Sequence, residues 1–179
     1  MIVEQGEPWL NAFDPQLLAW RGCAGWIAAF NDALLEQGIV NAQGMPLRLV
    51  AQDALPDGQA YEAYVHRTGC VPTRDNPHDF FNALLWLHLP RSKARLNALQ
   101  AQAIARDGVG ASRGALRDFC TLLDENGMLM VAPPAAQELL RTRNWHDLLV
   151  AGRAAWGRDI VVLPLGHALL EKLANPYKS

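Results

Sequence analysis

The sequence predicts an α+β fold, mostly helical, in a single domain with short hairpins packed against a buried central helix. Three observations carry that expectation. The run Pro77–Leu89 is apolar almost all round, as a core helix must be. Several further segments keep helical apolar spacing. Short alternating segments, such as 46–51 and 61–66, read as strands.

At 179 residues the chain is long enough for one domain, residues 1–179, burying roughly 70% of its unfolded surface. Half the residues are apolar and 19% are charged, an ordinary globular balance. The N-terminus does not read as a signal peptide, and no run approaches the ~18 apolar residues of a membrane span. Cys23, Cys70 and Cys120 are odd in number, far apart and without zinc-ligand spacing. Together these predict a reduced, cytoplasmic chain with small buried thiols and no membrane partner.

Residues 15–37 look helical, with Pro15 at a first helical position, Gly38 as terminator, and Gly22 and Gly25 marking a break. Residues 61–66 (YEAYVH) alternate, Arg67-Thr68-Gly69 supplies a turn, and Cys70–Arg74 returns as a strand that Pro72 confines to an edge. Asn76 is a strong N-cap, Pro77 suits the first helical position, and Asp79 sits at the third. A further helix is expected from Pro90 to about Ala105. Residues 113–132 are ambiguous. Leu116, Phe119, Cys120 and Leu123 keep helical spacing, yet Asn126-Gly127 is the strongest hairpin signal in the chain. The expectation is a short helical start near Arg113, then a hairpin of 119–124 with 128–132. Helices at 134–141 and 145–155, a strand at 160–163 and a helix at 166–173 complete the order.

The candidate site lies at the head of the core helix. Stepping 100° per residue from His78 puts Asn82 near 40°, Trp86 near 80° and Asp79 near 100°. This is the one polar wedge on an apolar cylinder, and buried polar groups need partners. The helix dipole favours a charged Asp79 and a neutral His78, fit to bind a metal or act as a base. A capping network is the plainer explanation. Residues 144–151 (NWHDLLVA) repeat the pattern of 76–83 (NPHDFFNA), but Val150 replaces Asn82, so His146 reads as structural. His167 begins a helix after a strand; it is a structural histidine, or else shares a pocket with His78.

Residues 67–117 hold eight Lys/Arg against three Asp, a balance of +5 in a chain of net charge −2. Arg91, Lys93 and Arg95 cluster on one helix, as a solvated face or as an attraction for an anionic ligand. No P-loop, nucleophile elbow or phosphatase-loop spacing is present.

The runs RTGCVPTRDNPHDFFNALLWLHLPRSKARLN, RGALRDFCTLLDENG and GHALLEKL…NPY resemble an uncharacterised bacterial family, a domain of unknown function, over roughly residues 60–177. The resemblance implies a stand-alone bacterial protein and transfers no catalytic residue. A weaker resemblance concerns layout: the expected strand, turn, strand and helix are similar to a ββα-metal nuclease. It implies His66 as general base, His78 with Asp79 or Asn82 as ligands of Mg²⁺, Mn²⁺ or Zn²⁺, and Arg74, Arg113 and Arg117 gripping phosphate. The functional expectation is a metal-dependent hydrolase acting on a phosphodiester or other anionic substrate, including nucleic acid. The alternative is a non-catalytic module binding an anionic ligand or partner.

Overall fold

The structure, a computed structural model, describes residue 10, residues 13–109 and residues 114–176. It is an α+β fold dominated by helices. Helices α1 (Pro15–Ala19) and α2 (Trp26–Glu36) are separated by the expected break, where Gly25 takes a φ of 83°. Then come β1 (Arg48–Ala51), α3 (Tyr61–Thr68), β2 (Cys70–Thr73), α4 (Pro77–His88) and α5 (Pro90–Asp107). The chain continues through α6 (Gly114–Asn126), β3 (Met128–Val131), α7 (Pro134–Arg141), β4 (Val161–Pro164) and α8 (His167–Ala174). Between α7 and β4, residues His146–Ala151 form a π-helical turn and Arg153–Ala155 a 3₁₀ turn, where one helix was expected.

The centre is α4. Asn76 Oδ1 accepts from Asp79 N at 2.8 Å, and Pro77 follows at the first position, so the start is capped as predicted. Phe80, Phe81, Leu84 and Leu85 are all buried. They belong to one core with Phe30 and Leu34 of α2, Leu49 of β1, Val65 of α3, Val71 of β2 and Leu170 of α8. Edge-on ring contacts run Trp26–Phe30–Phe80–Phe81 at 5.3–5.5 Å. A smaller cluster of Ala136, Leu148 and Ile160 holds the α7–β4 region together.

The strands depart from the expected hairpins. β1 and β2 pair in parallel, Arg48 opposite Cys70 through Ala51 opposite Thr73. A parallel pair needs a crossover, and α3 supplies it. Residues 61–66 are therefore helical, although they alternate. Val65 points into the core, Gly69 closes the helix at φ 70°, and its N–H donates to Val65 O at 2.9 Å. Six residues are too few to separate a period of 2 from 3.6, and burial of Val65 decides it. Pro72 is tolerated because the sheet has only two strands.

The Asn126-Gly127 hairpin is also replaced. α6 continues to Asn126, and the Gly127 N–H caps it by donating to Leu123 O at 3.0 Å. β3 pairs antiparallel with the distant β4, with α7 between them in sequence. The helical spacing of Cys120 and Leu123 outweighed the local turn signal because Cys120 is completely buried. Cys70 and Cys120 are the expected buried thiols; Cys23 is exposed. Among the described residues, no helix is long and apolar enough to cross a membrane.

Candidate functional site

Helices α3, α4, α5, α6 and α8 enclose a cavity of about 500 Å³ that opens to solvent. That volume suits a small molecule. The polar wedge of α4 forms one wall: His78, Asp79, Asn82 and Trp86 all line it. Each member is committed to a different partner.

Asp79 is occupied by the segment before the helix. Its carboxylate accepts from Arg74 N at 2.6 Å and takes both arms of the Arg74 guanidinium at 3.0 and 3.1 Å. This bidentate clasp explains both residues structurally. Asn82 is held between two helices: its Oδ1 accepts from Lys93 Nζ at 2.8 Å, and its Nδ2 donates to Tyr61 Oη at 3.2 Å. Burial drives the Tyr61 pKa upward, so the hydroxyl stays protonated.

Lys93 is nearly inaccessible, at 5% exposure. Its ammonium also donates to Asp124 Oδ1 at 2.5 Å and lies 5.6 Å from the Trp86 ring centroid. The basic run on α5 is thus split. Arg91 and Arg95 face water, while Lys93 turns inward. A spacing of two residues places side chains 200° apart on a helix, so the three could never share one face.

His78 leads to the other side of the cavity. Its Nδ1 lies 2.9 Å from Glu171 Oε2, and its Nε2 lies 3.0 Å from His167 Nε2. His167 Nδ1 in turn lies 2.8 Å from the Asp124 carbonyl oxygen. Burial, reinforced by the Lys93 charge, pushes the His167 pKa down to about 4, so the ring is neutral at neutral pH. Of the two readings of His167 in the sequence, the shared pocket with His78 is the one the structure contains.

The third wall carries Glu62, Asn97 and Arg117. Asn97 Nδ2 donates to Glu62 O at 2.9 Å and to Glu62 Oε2 at 2.6 Å. Burial pushes the Glu62 pKa up to about 7 against this stabilising hydrogen bond. Arg117 Nε and Asn97 Oδ1 are buried without a hydrogen-bond partner. Unpaired buried polar atoms are rare, and a bound molecule or water commonly satisfies them.

His66 stands apart from these groups. It lies in the last turn of α3, does not line the cavity, and its Nε2 meets Gln43 Nε2 at 2.8 Å. The expected strand-borne general base is therefore absent, because the strand itself is a helix, and the ββα-nuclease layout goes with it. Arg113 lies outside the described residues. Arg74 and Arg117 both border the cavity, but the Arg74 guanidinium is engaged by Asp79. His78, Asp79 and Asn82 share a wall without forming a ligand set. Among the described residues, no three His, Cys, Asp or Glu side chains gather as candidate metal ligands.

Sequence reasoning missed Glu62, Asn97 and Asp124, and named Lys93 without separating it from its neighbours. Lys93 was hidden in a basic run. Glu62 lies in the alternating run 61–66, which reads as a strand. One signal was available: Lys93, Asn97 and Gln100 recur at helical spacing on one face of α5, among alanines.

The second His-Asp motif is confined to the surface. Asn144 Oδ1 accepts from Asp147 N at 3.3 Å, and exposed His146 meets Asp147 at 3.2 Å. It is a cap and no more, as the sequence implied.

No curated protein matches the sequence, and no solved structure matches the chain. A family match covers residues 47–179, from β1 through α8, and so takes in every residue of the cavity. The chain belongs to the DUF3025 family, described as proteins of unknown function.

Proposed function

We propose that the protein is an enzyme of hydrolase type, acting on a small anionic molecule bound in this cavity. The observation that carries the reading is Glu62, a partly buried carboxyl on the wall of an open cavity. Burial raises its pKa to about 7, where a carboxyl both takes and returns a proton at neutral pH. Such a group deprotonates a water molecule as it attacks an ester carbon or phosphorus. It then returns the proton to the leaving oxygen. Lys93 and Arg117 border the same space and oppose negative charge developing on the substrate oxygens. Tyr61 and Trp86 offer flat apolar walls. The cavity volume favours a small phosphoester or carboxylic ester over a nucleic-acid duplex.

The test is a panel of aryl phosphate monoesters, phosphodiesters and carboxylic esters. The reading expects turnover of at least one class, with Glu62→Gln lowering kcat by about 10²–10⁴ and leaving the fold intact. Turnover unchanged in Glu62→Gln would remove Glu62 from the chemistry and defeat the proposal.

A second reading is a non-catalytic module for an anionic ligand. The buried, unpartnered Arg117 Nε favours it. It expects anions to raise the melting temperature with no turnover, and expects Arg117→Ala to abolish that rise.

A further inference from the structure

The two imidazoles at the cavity rim pose a problem of hydrogen placement. The Asp124 carbonyl oxygen can only accept, so His167 Nδ1, at 2.8 Å, must carry the hydrogen. An ionised Glu171 carboxylate also only accepts, so His78 Nδ1, at 2.9 Å, carries one too. With no further proton on the pair, bare Nε2 lone pairs face each other at 3.0 Å. Two lone pairs at that distance repel unless a cation lies between them or beside them.

We infer that His78 and His167 form a divalent transition-metal site through their Nε2 atoms. The inference extends the hydrolase reading by giving that cavity a metal. Its ligands are His78 and His167, in place of Asp79 and Asn82.

Three observations support a metal. Two imidazole nitrogens about 2.0–2.1 Å from a tetrahedral zinc lie about 3.3 Å apart, so closing the site takes a few tenths of an ångström. Each ring already has the outer partner that orients a metal-bound histidine: a carboxylate on one Nδ1 and a backbone carbonyl on the other. Both rings border the cavity, so water or an anionic substrate can fill the remaining positions. Imidazole ligation selects Zn²⁺, Co²⁺, Ni²⁺ or Cu²⁺ over Mg²⁺, which prefers oxygen. With two protein ligands, the site is more open than a structural zinc centre.

The experiment titrates the metal-free full chain with Co²⁺, reading its visible d–d absorption, followed by competition with Zn²⁺. The inference expects one Co²⁺ per chain, displaced by Zn²⁺. Binding should be lost in His78→Gln and in His167→Gln, kept in Asn82→Ala, and weakened about 10–100-fold in Glu171→Gln. Circular dichroism of each variant separates lost binding from lost folding. His78→Gln, at the half-exposed rim, serves if the buried His167 variant does not fold. Absence of stoichiometric Co²⁺ binding overturns the inference and leaves the pair as an N–H···N hydrogen bond holding one extra proton. Binding that survives His78→Gln overturns it as well. No substrate is present in the titration, so its result is independent of whether Glu62 performs hydrolysis.

Discussion

Lys93 Nζ lies 2.5 Å from Asp124 Oδ1, and both side chains are largely shielded from water. This ion pair joins α5 to α6 across the floor of the cavity. Removing one partner leaves the other charge buried and uncompensated. Lys93→Ala is expected to cost about 3–5 kcal/mol, read as a lower urea midpoint. The double variant Lys93→Met, Asp124→Leu should recover much of that loss, since no lone charge remains. A loss in the double variant equal to the sum of the Lys93→Met and Asp124→Leu losses would show that the pair is not coupled.

Glu62 makes stability depend on pH in a definite direction. Its carboxyl is held protonated up to about pH 7 in the folded chain, against an ordinary value of 4.5. Between those values the folded state binds more protons than the unfolded state. Stability therefore falls as pH rises from about 4.5 through about 7, and the loss is complete above that. Lys93 and Asn97 from α5, and Arg117 and Asp124 from α6, set this balance. Glu62→Gln should remove the slope. The measurement is the difference in urea midpoint between the two proteins at several pH values, which cancels the titration of other groups.

Gly166 is the hinge point for His167. A side chain there would overlap the Glu125 carbonyl and the Asn126 amide at the end of α6, both rigid backbone. Gly166→Ala must therefore push α8 away from α6 and move His167 off Asp124. The expected outcome is a drop in melting temperature together with loss of the His78–His167 contact. The latter is visible in NMR as a changed imidazole environment for His78.

The two Asn-x-His-Asp motifs offer a matched comparison. Asn76→Ala removes a 2.8 Å cap from a buried helix and should cost about 1 kcal/mol. Asn144→Ala removes a longer, 3.3 Å cap on the surface and should cost less. Thermal or urea denaturation of the two variants checks the order. A larger loss at Asn144 would reverse the structural assignment.

Capping and core periodicity were legible in the sequence because both are local. Asn76, Pro77 and Asp79 announce the start of α4 within four residues, and the apolar faces of Phe80 to Leu87 announce its burial. Strand pairing was less legible. A six-residue alternation at 61–66 and an Asn-Gly at 126–127 are compatible with helix and helix end, and only the burial of Val65 and Cys120 selects between them. The +5 charge of residues 67–117 was correctly located but wrongly grouped, since Lys93 turns inward from Arg91 and Arg95.

By itself the sequence determined that a helix with a polar wedge of His78, Asp79 and Asn82 lies in the core. Pattern and propensity act between neighbours three or four residues apart, and that range suffices for a helix and its buried face. Only the tertiary structure decided what the wedge meets. Asn82 finds Lys93 on the next helix, while His78 finds His167 at a separation of 89 residues and Glu171 at 93. Those contacts follow from how α4, α5, α6 and α8 pack, and packing is settled by the apolar side chains of the core.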